Sequence, residues 1–112
     1  MTTHGSGPPK PLTSQRSGPL TGQISVPGDK SISHRALMLG AIAAGTTRIR
    51  GLLEAEDVIN TAKAVTALGA PASKRGADWE VRGRGVGGLI APQGDLDFGN
   101  SGTGSRLMMG VI

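Results

Sequence analysis

The spacing of apolar residues predicts short strands and apolar helices over most of the chain. Residues 20–26 place their apolar side chains on one face, which predicts a first strand. Residues 31–44 predict a helix that is apolar all round beyond its first turn and therefore buried, with Ser31 as its N-cap and Gly45 at its end. Residues 46–50 alternate between polar and apolar positions, which predicts a second strand.

The pattern continues through a second helix and two further strands. Residues 56–68 carry an apolar stripe at helical spacing behind an acidic first turn, and Gly69 ends that helix. Residues 70–74 and 79–82 predict two strands joined by a glycine-containing turn. The order strand, helix, strand, helix, strand, strand indicates a mixed fold of the α/β (α+β) class.

Two glycine-rich turns, each leading through an arginine into an apolar run, share one internal spacing. Gly28 lies seven positions before Arg35, Gly99 lies seven before Arg106, and the second pair follows the first by 71 residues. The match predicts an internal repeat with βαβαββ as its unit, chance being the alternative. Because the apolar run 107–112 ends without a capping signal, we expect the N-terminal piece of a longer protein, the alternative being a natural helical C-terminus that frays.

Composition narrows the class of protein without identifying a ligand. The 112 residues carry a net charge of +4, which suits anionic partners, and include no cysteine for a disulfide or a thiolate metal site. Residues 1–19 predict a disordered tail, an organelle transit peptide being the alternative, before one domain over residues 20–112. The longest apolar run is too short to cross a bilayer, so we expect a cytoplasmic protein without a membrane partner.

The first glycine-rich turn carries the residues that suit an anion best. Lys30 stands at the predicted helix N-terminus, and Ser31 and Arg35 share one helical face beside it. An ammonium, a hydroxyl, a guanidinium and free backbone N–H groups there predict a site for a phosphate or a carboxylate. The alternative is a pair of solvated charges on a surface helix.

The second glycine-rich turn, residues 97–106, has the same form and opens the predicted helix 107–112. Neither turn has the spacing of a nucleotide-binding P-loop, so ATP is not indicated. The GxGxxG match at residues 83–88 is interpreted as a connection, because no helix pattern follows it. The acids at positions 54, 56 and 57 are interpreted as partners of a helix dipole rather than as a metal site.

At these turns the sequence resembles the 5-enolpyruvylshikimate-3-phosphate (EPSP) synthase family. The resemblance rests on three segments: Pro27–Ala36, Gly99–Arg106 and Leu52–Val58. It implies transfer of the enolpyruvyl group of phosphoenolpyruvate to the 5-hydroxyl of shikimate-3-phosphate, in the shikimate pathway to aromatic amino acids. It also implies that no metal or organic cofactor takes part and that the full-length protein is a monomer.

The resemblance also assigns roles to residues of both turns. Lys30 would contact both substrates and stabilise the charge that moves, while Ser31 and Arg35 would hold shikimate-3-phosphate. Gly102 would let the backbone approach phosphoenolpyruvate in a pocket lined by Asn100 and Thr103. The family fold has two lobes of βαβαββ units with residues 20–26 at the crossing, and further site residues lie beyond this chain. We therefore expect residues 1–112 alone to be inactive.

Gly102 departs from the glyphosate-tolerant bacterial subgroup whose second motif this sequence otherwise resembles. Members of that subgroup can carry alanine at the matching position. Because glycine leaves room for the inhibitor beside the phosphoenolpyruvate pocket, we expect the full-length protein to be sensitive to glyphosate.

Two other functions fit parts of the sequence. The related UDP-N-acetylglucosamine enolpyruvyl transferase uses the same fold and donor, although its active-site cysteine is missing here. A small basic module that binds anions or nucleic acid is a second alternative. It fits less well because Trp79 and Phe98 are the only aromatic side chains available for base stacking, and the basic residues are scattered. We therefore expect small-molecule substrates and no nucleic-acid partner.

Overall fold

A computed structural model describes residues 7–112 of the chain. Residues 1–6 of the predicted tail lie outside the described residues, and residues 7–19 form no helix or strand. The elements are, in chain order, α1 (Lys30–Ile42), β1 (Ala44–Arg50), α2 (Glu56–Ala67), β2 (Ala72–Arg75), β3 (Asp78–Arg84) and α3 (Gly102–Val111). This mixed helix and sheet architecture confirms the predicted fold class. No helix within residues 7–112 is long and apolar enough to cross a bilayer.

The three strands form one antiparallel sheet in the order β1-β3-β2. Val81 of the central strand lies opposite Thr47 on one side and Ala72 on the other, and it is fully buried. A tight turn joins β2 to β3 at Gly76, whose φ of 62° is a conformation that glycine adopts without strain. The strand predictions for residues 46–50, 70–74 and 79–82 are confirmed, with bounds that differ by a few residues.

The strand predicted over residues 20–26 is wrong. The segment contains no strand, and it leaves Leu20 88% and Ile24 91% exposed. A strand needs a neighbouring strand to accept its ladder of hydrogen bonds. No strand among the described residues pairs with this segment. The apolar period is present, but within residues 7–112 the segment pairs with none of the three strands, and its apolar side chains stay exposed.

Helix α1 begins and ends earlier than predicted. Its N-cap is Asp29 rather than Ser31, because the Asp29 carboxylate accepts a hydrogen bond from the backbone N–H of Ile32 at 2.9 Å. Its C-cap is Ala43, and Gly45 lies inside β1 with a φ of 91°. The prediction of a helix buried all round is also wrong, since Leu39 on the outer face is 62% exposed. Helix α1 carries more apolar residues than one face of the sheet can cover.

Helix α2 confirms its prediction and anchors the core. Val58, Ala62 and Val65 of its apolar stripe are buried, and Leu68 caps its C-terminus ahead of Gly69, whose φ is 99°. Helix α2 packs against α1, β2 and α3. The core is completed by Leu37, Met38, Ala41, Leu52, Ala64, Ala70, Val81 and Met108.

Helix α3 begins at Gly102, five residues before the predicted start at residue 107. Its N-cap is Ser101, whose hydroxyl accepts a hydrogen bond from the backbone N–H of Gly104 at 2.9 Å. Glycines in the first turn interrupt the apolar period from which a helix is predicted, and glycine has a low helix propensity. Gly104 is buried there, and a methyl group on it would lie 3.1 Å from Thr61 Oγ1. The small residue therefore lets α3 approach α2.

Among residues 7–112, one polar pair of side chains lies within the core between α1 and α2. His34 and Thr61 are both fully buried, and His34 Nδ1 lies 2.8 Å from Thr61 Oγ1. Burial lowers the pKa of His34 below its ordinary value of 6.5, and the charge of Lys30 lowers it further. The carboxylate of Asp57 opposes this effect, and Arg35 adds a smaller lowering. His34 is therefore neutral in the folded protein near pH 7.

Gly83 fixes how closely α1 sits on the sheet. A methyl group there would overlap the carbonyl oxygens of Gly40 and Ala43, so α1 and β3 meet backbone to backbone. We expect Gly83→Ala to lower the free energy of unfolding by about 1–3 kcal/mol through overpacking. The urea midpoint at constant m-value measures this. Gly110→Ala is the matched control, because beyond the neighbouring backbone of its own helix no described residue lies within 4 Å of the added methyl. It should be neutral or slightly stabilising, and an equal loss in both variants would contradict the packing role.

Stability should fall as the pH drops through the range in which His34 titrates. The unfolded chain binds a proton near pH 6.5, whereas the folded protein binds it only at a lower pH. Between those two pH values the unfolded state holds more protons, so the free energy of unfolding decreases with falling pH. We expect His34→Asn to lessen the decrease between pH 7.5 and pH 5.5 in urea unfolding. Equal decreases in both proteins would contradict the assignment.

Candidate functional site

The first candidate residue, Lys30, lies in the first turn of α1, and its side chain reaches the first turn of α2. Its Nζ lies 2.5 Å from Asp57 Oδ2, with the Lys30 side chain 54% exposed and the Asp57 side chain 14% exposed. A shallow pocket of about 280 Å³ lies beside it, lined by Lys30, Ala55, Glu56 and Asp57. The ion pair holds the ammonium at a fixed place while leaving part of it open to an incoming anion.

Ser31 and Arg35 lie next to Lys30 on the exposed side of α1. Arg35 Nη1 donates a hydrogen bond to the carbonyl oxygen of Ser31 at 3.1 Å, which folds the guanidinium back along the helix toward its N-terminus. The Asp29 carboxylate accepts a hydrogen bond from the backbone N–H of Ile32. The preceding N–H groups of the helix remain at its open end, where the positive end of the helix dipole lies. The structure therefore gathers the three predicted side chains at one N-terminus.

The second set of candidates, Asn100, Gly102 and Thr103, lies exposed at the N-terminus of α3. The preceding turn is tied down by the Asp97 carboxylate, which accepts the backbone N–H of Gly99 at 2.8 Å. Gly99 has a φ of 57° and packs against α2, since a methyl group on it would lie 2.9 Å from the Asn60 amide nitrogen. The turn is thus held in place from both sides.

The first two turns of α2 bring the two candidate sets together. Asp57 pairs with Lys30, Asn60 packs on Gly99, and Thr61 contacts both His34 of α1 and the first turn of α3. These three residues share one edge of α2, here called the polar edge of α2. Helices α1 and α3 also touch each other directly. The structure thus places two helix N-termini, with their exposed side chains, on either side of this edge.

The two helix starts repeat one capping arrangement but not the predicted spacing. Asp29 and Ser101 each accept the N–H group three residues further on, and they are 72 positions apart. The glycine-to-arginine spacing gave 71, so the second helix begins one residue later within its motif. The repeat itself stays a prediction.

The sequence pattern missed the residues that connect the two turns. Asp57 was interpreted as an acid that complements a helix dipole, and it does lie in the first turn of α2, yet it also pairs with Lys30. His34, Asn60 and Thr61 carried no prediction. The sequence offered one signal, that the polar residues at positions 57, 60 and 61 share one helical face beside the apolar stripe, but this spacing does not show what that face contacts.

Of the acids at positions 54, 56 and 57, Glu54 pairs with a residue of the sheet rather than with the candidate site. Its carboxylate lies 2.8 Å from Lys74 Nζ, and hydrogen bonding from Lys74 lowers the pKa of Glu54. Residues 7–112 contain no group of three or more side chains that could hold a metal ion. Residues 83 and 84 of the GxGxxG match belong to β3 rather than to a connection, and residues 85–88 open no helix, which agrees with the rejection of this match as a dinucleotide fingerprint.

Comparison with known proteins identifies relatives of the whole described region. The family model of EPSP synthase (3-phosphoshikimate 1-carboxyvinyltransferase) matches residues 14–112. A protein of Bradyrhizobium diazoefficiens named 3-phosphoshikimate 1-carboxyvinyltransferase is 61% identical over 113 residues, which cover 100% of this chain and 24% of that protein. A protein of the same name from Afipia carboxidovorans is 63% identical over 105 residues, covering 93% and 24%.

Solved structures give the same relationship. The EPSP synthase from Acinetobacter baumannii matches with a TM-score of 0.74 and 45% identity, over 80% of this chain and 21% of that one. The chain thus spans about a quarter of the length of the curated relatives it matches. Both glycine-rich turns lie inside the matched range, so the resemblance they carried is confirmed. The chain belongs to the EPSP synthase family.

Proposed function

We propose that the protein built on this chain transfers the enolpyruvyl group of phosphoenolpyruvate to the 5-hydroxyl of shikimate-3-phosphate. The observation that carries the proposal is the pair of helix N-termini, α1 and α3, held against the polar edge of α2. Each N-terminus supplies N–H groups and partial positive charge, and α1 adds the charges of Lys30 and Arg35. Both substrates carry a phosphate and a carboxylate, so a site with several donors suits them.

The reaction is an addition followed by an elimination. The 5-hydroxyl oxygen bonds to C2 of phosphoenolpyruvate and its proton is lost, while C3 gains a proton. The resulting tetrahedral intermediate loses a proton from C3 and expels phosphate from C2. Charge develops on the departing phosphate, and a fixed ammonium beside it lowers the barrier. This is the role proposed for Lys30.

The remaining candidates divide between the two substrates. Ser31 and Arg35 at α1 hold shikimate-3-phosphate, because a guanidinium and a hydroxyl match a phosphate in geometry and charge. Asn100, Gly102 and Thr103 at α3 hold phosphoenolpyruvate, with Gly102 allowing the backbone close to the ligand. The proposal extends to small-molecule substrates alone, without metal, organic cofactor or nucleic acid, and to a cytoplasmic monomer.

Loss of Lys30 should abolish most of the activity. We expect Lys30→Met to lower kcat/KM by about 10²–10³-fold, the usual loss for one donor that stabilises a transition state. Phosphate release by the protein produced from its complete gene, with both substrates present, measures the rate. Lys63→Met is the matched control, because Lys63 is exposed on α2 and belongs to neither candidate set.

The two variants and the unaltered protein separate the role of Lys30 from the reaction itself. Full activity of Lys63→Met together with loss in Lys30→Met supports the assignment of the lysine. A Lys30→Met protein at the unaltered rate contradicts that assignment. An unaltered protein that releases no phosphate from this substrate pair contradicts the proposed function itself.

A methyl group at Gly102 should discriminate against glyphosate. It would lie 3.1 Å from Arg106 Nη1, the mobile end of a side chain that can move aside. We expect Gly102→Ala to raise the inhibition constant of glyphosate at least about tenfold, with a smaller rise in the KM for phosphoenolpyruvate. Gly110→Ala in the same helix is the control and should leave both constants unchanged. Equal inhibition of the Gly102→Ala and unaltered proteins would contradict the placement of Gly102.

A further inference from the structure

The buried pair of His34 and Thr61 is the one polar contact in the described core that joins two helices through side chains. Both residues are fully buried, and the atoms His34 Nδ1 and Thr61 Oγ1 are 2.8 Å apart. A buried polar pair costs desolvation that an apolar pair of the same size would avoid. Packing of α1 against α2 therefore does not by itself account for the pair.

The direction of the hydrogen bond follows from the neighbours of Thr61. The hydroxyl donates to the carbonyl oxygen of Asp57 at 3.4 Å, which leaves Oγ1 to accept from Nδ1–H. His34 Nε2 is buried and has no hydrogen-bond partner among residues 7–112, so a lone pair there costs less than a proton. The reverse direction would place a proton on Nε2 and bury that N–H group without an acceptor, and a charged ring would do the same. His34 thus acts as a neutral donor from Nδ1.

The pair lies directly beneath both candidate sets. His34 is one helical turn after Lys30 and adjoins Arg35 on α1. Thr61 is one turn after Asp57, the partner of Lys30. On its other side Thr61 meets the first turn of α3, since a methyl group on Gly104 would lie 3.1 Å from Oγ1. One hydroxyl therefore contacts both helices that carry the predicted anion-binding residues.

We propose that His34 and Thr61 are positioning residues that set the distance and angle between the N-termini of α1 and α3. This assignment rests on the proposed function. Each substrate is bound mainly by one of the two helices, so a small shift of α1 relative to α3 leaves each binding surface intact. The shift instead separates the 5-hydroxyl oxygen from C2 of phosphoenolpyruvate, and a misplacement of about 1 Å between reacting groups costs up to about 10²-fold in rate.

The test removes the hydroxyl of Thr61 while keeping its shape. We expect Thr61→Val to lower kcat by about 10–100-fold per active site, with the KM for each substrate within about threefold of the unaltered value. Thr61→Ser restores the hydroxyl and should restore kcat. The stoichiometry of shikimate-3-phosphate binding measures the concentration of active sites. Dividing the rate by that concentration prevents a loss of folded protein from being mistaken for a loss of kcat.

Thr66→Val supplies a matched control on the same helix. The Thr66 hydroxyl donates to the Ala62 carbonyl at 2.8 Å and accepts the Ala72 N–H at 3.0 Å, at the end of α2 away from the candidate site. The same substitution there should lower stability but leave kcat per active site unchanged. A Thr61→Val protein with unaltered kcat, a failed rescue by Thr61→Ser, or an equal fall in kcat in Thr66→Val would each overturn the assignment.

Two variants of His34 provide the test if Thr61→Val does not fold. The amide of asparagine reaches the position of Nδ1, whereas that of glutamine reaches the position of Nε2. We expect His34→Asn to keep kcat and His34→Gln to lose it, and the reverse order would overturn the proposal. An unaltered protein without turnover overturns the proposed function and this assignment together, which separates that outcome from a failure of the positioning role alone.

Discussion

The site depends on the contact of two helix N-termini with one edge of a third helix. Asp57, Asn60 and Thr61 form that edge, and each touches a different part of the two glycine-rich turns. The apolar stripe of the same helix, with Val58 and Val65 at its centre, anchors the core. One helix therefore connects the packing of the domain to the placement of the side chains that face a ligand.

This arrangement carries an electrostatic cost that an anion would remove. Lys30 and Arg35 stand near the positive end of a helix dipole, where cations are unfavourable and anions are favoured. Asp29 as N-cap and Asp57 as ion-pair partner offset part of this cost within the protein. A phosphate bound at the same place would satisfy the exposed ammonium, the guanidinium and the open N–H groups together. The concentration of positive charge at the N-terminus of α1 is thus a reason to assign this place to anion binding rather than to folding.

The sequence predicted the parts of the fold in which local pattern and packing agree. Helix α2, the hairpin of β2 and β3, and the two turns all followed from apolar period, glycine position and helix-capping chemistry. The prediction for segment 20–26 failed because an apolar period alone does not form a strand, and the segment pairs with no strand of residues 7–112. The start of α3 failed because glycine lowers helix propensity locally, while contact with α2 outweighs that propensity.

The candidate site shows the same division between local and long-range information. Lys30, Ser31, Arg35 and the α3 residues could be selected because each lies within one short motif at a helix start. Asp57, Thr61 and His34 could not be selected in this way, because their importance comes from contacts between helices. His34 and Thr61, for example, are 27 positions apart in the sequence. Polar residues on a helix edge beside an apolar stripe are common in proteins, and only the fold shows which of them face a second helix.

The central claim is that the N-termini of α1 and α3 bind anions as one site. Backbone amide NMR shifts, recorded while shikimate-3-phosphate and then phosphoenolpyruvate are added to the complete gene product, test it most directly. The account predicts shifts at the amides of residues 30 and 31 with the first ligand, and further shifts at residues 100–103 with the second. Shifts confined to the exposed arginines of the sheet, such as Arg48 and Arg82, or shifts at only one of the two N-termini, would contradict it.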